Sequence, residues 1–366
     1  MRKTLLATSA IVGASLLAAD YASAAEAPTH TLSGNMAFRA FLGEQDVNNT
    51  NENKTYDFNT DEAELRYDVS GTADNGLSYG FKIELNANTD DDFAADEARL
   101  QFGGAWGTVQ LGDEDGAEDV MEYGGQSVAP GTGLYDGDFS DFFNSGQAFG
   151  NADLDPGVAN DSGDATKVSY FTPRISGFQL GVSYTPHTDD SGEGYAPRNE
   201  NFQDHVGIGI NYDNTFDTIS LQASALYSRG TNDDDDTTGT GTAEKDESSF
   251  YGGLVIGWQA WSFGLNAAAL GDGGTEAGEG SDNGWNAGGV VSYNFGPGNV
   301  GVGVAYAEAD DAQDDDDEVL YVGVAGDYTL AEGLKVVADV HWFNSDRDNA
   351  SDNDATIGVI GTEINF

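Results

Sequence analysis

Cysteine is absent from this 366-residue chain, and only 14 Lys and Arg stand against 64 Asp and Glu. Without cysteine there are neither disulfides nor thiolate metal sites, so stability comes from one large fold. The shortage of basic residues gives a net charge of −50. Such a surface repels phosphate, which excludes nucleic acid as a partner. Histidine is limited to His30, His187, His205 and His341, and no Gly-x-Ser-x-Gly elbow flanks a strand with a suitable base, so catalysis has little support. Beyond residue 24 no segment holds about 18 consecutive apolar residues, which excludes a membrane-spanning helix. A membrane β-barrel stays open, because its pattern is much weaker in each segment.

What is present begins with a secretory pattern. Arg2 and Lys3 precede an apolar stretch from Leu5 to Ala18, and Ala22-Ser23-Ala24 supplies small residues for cleavage. This reads as a signal peptide over 1–24, leaving 25–366 as a single domain. The apolar run is too short to span a bilayer comfortably. The acidity has two compatible readings: a solvated coat tolerable where salt screens it, and a mouth that attracts cations.

The remaining chain counts 50 Gly, 16 Tyr and 19 Phe but only 7 Pro, a mix suited to strands and turns. From Leu77 to Asn86 apolar or aromatic residues alternate with polar ones or glycine, and so do the residues of 64–70, 178–185, 206–212, 219–227 and 334–343. A helix would repeat near 3.6 residues instead. Short connections fall at Thr72–Gly76, Gly103–Gly107, Pro173–Gly177, Asp213–Asp217, Gly296–Gly298 and Ala331–Gly333. Long ones fall near 43–61, 87–96, 112–165, 186–204, 229–248, 271–283, 308–318 and 344–354, and hold nearly all the acidic clusters, including Asp233–Asp236 and Asp314–Asp317. The expectation is an all-β, antiparallel transmembrane barrel of about sixteen strands, with short periplasmic turns and long acidic extracellular loops. Tyr184, Tyr212, Tyr227, Trp258, Trp261, Trp285, Tyr293, Tyr328 and Trp342 lie on the apolar face as interfacial girdles would. The opposite face, rich in Ser, Gly, Gln, Asn and Thr, suits a wet interior.

Three segments carry a family resemblance. Thr166-Lys167-Val168-Ser169-Tyr170 with Pro173, followed by Gly177 to Tyr184, resembles the region after the third loop of Gram-negative general-diffusion porins. Gly107-Thr108-Val109-Gln110-Leu111-Gly112 resembles the strand leading into that loop, and Gly361 to Phe366 ends on the C-terminal Phe typical of outer-membrane barrels. The resemblance implies a 16-stranded outer-membrane barrel among lipid and lipopolysaccharide, forming a homotrimer, with the third loop folded into the lumen. It implies passive diffusion of small hydrophilic solutes and ions without a cofactor.

The long stretch 112–165 is then the expected constriction, since a structureless loop of that length is uncommon unless functional. Its acids are Asp113, Glu114, Asp115, Glu118, Asp119 and Glu122, then Asp136, Asp138 and Asp141 among the aromatics Tyr135, Phe139, Phe142 and Phe143. The family implies a basic facing wall. Arg39, Arg66, Lys82 and Arg99 belong to the first four strands and share the polar face by parity. A charge turned to lipid at the midplane would cost about 2–4 kcal/mol. Asp113-Glu114-Asp115-Gly116 offers oxygen ligands for Ca²⁺, but Gly124 stands where the bidentate Glu of a calcium loop belongs. The reading is a pore preferring cations. The alternatives are a substrate-selective channel, or a structural or adhesive barrel.

Overall fold

In the computed structural model the alternating segments form one closed antiparallel sheet of sixteen strands. The structure describes residues 27–46, 56–87, 94–135, 142, 152, 154, 157–158, 161–188, 203–231, 246–271, 284–310, 316–347 and 353–366. The expected leader, 1–24, lies outside them. The first strands are β1 (Thr29–Asp46), β2 (Tyr56–Thr72), β3 (Ser78–Asn86) and β4 (Ala94–Gly104). Two short ones, β5 (Gly107–Asp113) and β6 (Thr166–Phe171), flank the long loop. Next come β7 (Phe178–His187), β8 (Gln203–Phe216), β9 (Ile219–Thr231), β10 (Glu247–Trp258) and β11 (Trp261–Leu270). The last are β12 (Gly284–Asn294), β13 (Gly298–Asp310), β14 (Asp316–Ala331), β15 (Leu334–Arg347) and β16 (Asn353–Asn365).

Each strand pairs with its chain neighbours, and β1 pairs with β16 from Asn35↔Asn365 to Asp46↔Asp354. Gly34 and Phe366 finish the seam with reciprocal backbone hydrogen bonds of 3.2 and 3.0 Å. Closure leaves no strand edge unpaired, the condition for a sheet in a solvent that offers no hydrogen bonds. Short turns gather at one rim and long loops at the other. One short turn, Gln259–Ala260, is missing from the sequence expectation because it contains none of the usual turn residues. Gln259 and Asp217 both take φ of +55°, the left-handed geometry that two-residue hairpins need to match strand twist.

The two faces of the wall differ sharply. Leu180, Val302, Val324, Val340 and Ile360 point outward and are exposed, as are Trp258, Trp261, Trp285, Tyr328 and Trp342. A continuous apolar band of this kind matches hydrocarbon flanked by interfacial aromatics. The inward row carries Ser183, Thr185, Asn211, Ser224 and Asn266 on β7–β11, as a polar lumen requires. On β12–β16 and β1 the inward row is mixed: Val290, Ala305, Val319, Tyr321, Phe343, Ile357 and Phe41 are buried beside the equally buried Asn286, Asp339, His341 and Ser345. The expectation of a polar inner face holds only in part in this sector, where loop side chains pack against the apolar members of the row.

Candidate pore constriction

The loop that packs against the wall lies between β5 and β6. Its short helix α1 (Ala117–Val120) rests on β7 and β8 where the wall has no side chains. A methyl group at Gly209 would stand 2.7 Å from the Ala117 carbonyl oxygen, and one at Gly181 would stand 3.0 Å from Ala117 Cβ. The same holds further along: Gly264 lies under Gly124, and Gly303 and Gly323 lie under Leu134. Glycine inside a strand marks a close backbone approach. Here the glycines form a track in which the loop runs round the inner wall.

Polar wall side chains take up the loop's backbone groups. Ser183 Oγ accepts from the Ala117 N–H at 2.6 Å, and Ser224 Oγ from the Tyr123 N–H at 3.0 Å. Asn211 Nδ2 donates to the Met121 carbonyl at 3.2 Å, and the Tyr251 hydroxyl to the Tyr123 carbonyl at 3.0 Å. Asn266 Oδ1 accepts from the Gly125 N–H and from the Tyr135 hydroxyl, at 3.3 and 2.5 Å. On β15, Asp339 Oδ2 accepts from the Thr132 N–H at 2.8 Å. These partners meet the requirement that buried backbone groups be paired. Apolar contacts complete the docking. Met121 and Val158 pack with Leu226 and Ala268, while Leu134, Tyr135 and Phe142 pack with Val290, Tyr321 and Phe343. The Phe142 ring centroid lies 4.7 Å from that of Phe41. Phe139 and Phe143 lie outside the described residues, as do Asp136, Asp138 and Asp141.

Three of the four sequence-derived cations are brought together with carboxylates of β2–β4 and of the loop. Arg66 meets Glu64 and Glu84, each at 2.6 Å. Lys82 contacts Glu84 at 3.5 Å, Glu114 at 3.1 Å, and Glu97. Arg99 pairs with Glu114 and donates to Gln101 Oε1 at 2.6 Å. Arg39 stands apart. Arg66 is opposite Ser33 on β1, well along the strand from Arg39. Arg39 is buried and joins Glu363 at 3.7 Å, where Lys335 also binds Glu363 at 2.5 Å. Lys167 was not among the expected cations, yet its buried amine donates to the carbonyls of Glu114 and Gly163, joining the outgoing and returning limbs of the loop. Its parity with inward Ser169 could have revealed it.

The expected loop acids have separate fates. Asp113 accepts from the Thr166 hydroxyl, while Glu114 bridges Lys82 and Arg99. Glu118 is buried against the wall, turned from the water path. Burial and neighbouring Asp115 push Asp119 up to about 8; burial, then Asp115 and Asp96, push Asp164 up to about 6. Glu97, Asp115 and Asp164 bring one oxygen each within 4.8 Å of one another, as do Glu64, Glu84 and Asp96. Ca²⁺ takes six to eight oxygens, and Lys82 or Arg66 already holds Glu64, Glu84 and Glu97.

A sequence profile of the Gram-negative porins matches residues 7–348. The chain belongs to that family. This porin shares its fold with an anion-selective porin from Comamonas acidovorans, at TM-score 0.66 and 15% identity over 93% of this chain and 100% of that one. The trimer form of OmpT, an outer membrane protein of Vibrio cholerae, aligns at TM-score 0.61 and 16% identity over 93% and 100%. The outer membrane channel DcaP of Acinetobacter baumannii aligns at 0.61 and 13% over 93% and 97%. No curated protein sequence matches. The porin is an outer-membrane diffusion channel and not an enzyme. Along β2–β4 the described residues border a mostly polar cavity of about 670 Å³, lined by Asp68, Ser70, Thr72, Ser78, Lys82, Arg99 and Gln101, among others. Such a lining suits water.

Proposed function

We propose that this porin is a cation-preferring, water-filled channel for small hydrophilic solutes, narrowed by its third loop and assembled as a homotrimer in the lipopolysaccharide-bearing membrane. One observation carries the cation preference. Arg66, Lys82 and Arg99 are three cations, and the four carboxylates Glu64, Glu84, Glu97 and Glu114 touch them. The wall is therefore more than neutralised before Asp113 and Asp115 are added, and Asp164 and then Asp119 join them as pH rises. Glu114 meets its cations in contact and not across water, so the local field is short-ranged, and the surplus is negative. A negative lumen raises the local concentration of cations and lowers that of anions.

The Comamonas relative is named anion-selective, but at 15% identity the shared property is the barrel. Selectivity belongs to lumen side chains, which a fold can change without moving a strand. The trimeric form of the Vibrio OmpT supports the same assembly here. Reconstitution into planar bilayers under a KCl gradient tests the reading. The expected result is large conductance steps and a reversal potential of the sign for K⁺ over Cl⁻. Anion preference would refute the charge argument. Negligible conductance would favour a structural or adhesive barrel, and saturable block by a single solute a selective channel.

A further inference from the structure

Behind the loop, on the side away from the water path, Glu118 is wholly buried although it is ionisable and lies in a loop. Its Oε1 accepts from the Ser162 hydroxyl at 2.7 Å and from the Ser162 N–H at 3.3 Å. Those bonds tie the outgoing limb of the loop to the returning one. His205 Nδ1 on β8 lies 3.7 Å from the same oxygen, and His205 Nε2 lies 3.9 Å from Glu247 Oε1 on β10. The other oxygen occupies the space where a side chain at 207 would begin, and a methyl group on Gly207 would overlap it. The missing Cβ makes a socket in β8, and the carboxylate fills it. Burying a carboxylate is costly unless it is paired; here Ser162 holds Oε1, while Oε2 fills the socket with no hydrogen-bond donor among the described residues.

We infer that Glu118 is a positioning residue of the pore: keyed into the Gly207 socket, it holds the base of the third loop against β8. Glu114, just upstream, is thereby kept at the Lys82–Arg99 wall. Glu118 touches no passing solute; it acts through the loop. The inference rests on the reading of that loop as the constriction.

The test is a double-mutant cycle in planar bilayers with the full-length porin, using Glu118→Ala, Gly207→Ala and the pair. Each single variant is expected to raise the occupancy of noisy, subconducting states roughly tenfold, the factor for losing a charge-assisted hydrogen bond. The pair should be no worse than Glu118→Ala alone, because the added methyl then enters vacated space; residues in contact are non-additive in this way. Glu118→Gln, which keeps the shape and the Ser162 acceptor, should largely rescue quiet conductance. Additive effects, or single variants as quiet as the parent, would overturn the inference. Should Gly207→Ala fail to assemble, as read by the heat-resistant barrel band, restored assembly in the pair carries the same coupling, and unrestored assembly overturns it. A parent porin without measurable conductance would strike the constriction reading instead. The assembly coupling would still report on the socket.

Discussion

Replacing Glu114 by Gln removes a carboxylate that touches both Lys82 and Arg99 while keeping its shape. Lys82 retains Glu84 and Glu97, and Arg99 retains Gln101, so neither cation is left stranded. The constriction loses one negative charge. For an ion passing roughly 5 Å away through water, Coulomb's law gives about 0.8 kcal/mol, close to fourfold in local concentration. The sign is opposite for K⁺ and Cl⁻, so their permeability ratio should move toward anions by up to about sixteenfold before screening. Salt supplies the control, because the Debye length is about 10 Å at 0.1 M and about 3 Å at 1 M. Reversal potentials in KCl gradients centred on those concentrations should show a clear shift at the lower one and little at the higher. No shift at low salt would mean that passing ions do not sense Glu114. A shift of equal size at 1 M would mean that the substitution moved the loop and did not merely discharge it.

Cation preference should rise with pH between 5 and 9, as Asp164 and then Asp119 lose their protons near 6 and 8. Asp119→Asn should abolish the upper step in a titration of reversal potential. Because both values lie above the ordinary aspartate range, the folded loop binds these protons more tightly than the unfolded chain does, and docking weakens as pH climbs toward 8. Asp339→Ala removes the acceptor of the Thr132 and Gly326 N–H groups. Lost charge-assisted hydrogen bonds cost about 1.5–3 kcal/mol each, so hydrogen exchange at the Thr132 amide should accelerate at least tenfold while strand amides stay protected. Val340→Arg, on the exposed lipid-facing row, should destabilise the barrel by about 2–4 kcal/mol if 340 lies near the midplane. Folding titrations in vesicles measure this; an unchanged midpoint would contradict the outward assignment.

The glycine count shows where sequence reasoning stopped. Fifty glycines indicate many turns, and Gly76, Gly177 and Gly333 do sit in turns with positive φ. Gly181, Gly209 and Gly303 look no different in the sequence, yet they lie in strands and make room for the loop. Which role a glycine plays depends on what passes over it. The apolar inward residues of β13–β16 were equally opaque: alternation shows that Phe343 and Val337 face the lumen, but not that Leu134 and Tyr135 lie against that sector. Arg66, Lys82 and Arg99 were legible because neighbouring antiparallel strands place same-parity residues side by side. Arg39 shares their parity but not their company, since register put it beside Glu363.

The chain's own pattern determines the closed meander, the lipid-facing row and the excess of acid. All are local or nearest-neighbour properties, written in a period of two and in the lengths of links. Only the folded barrel decides where the third loop lies, which acids face the path and which cations are already neutralised. Those outcomes depend on contacts such as Gly125 with Asn266 and Thr132 with Asp339, 141 and 207 residues apart. Such pairs exist because β1 closes on β16 and brings distant strands round a common interior.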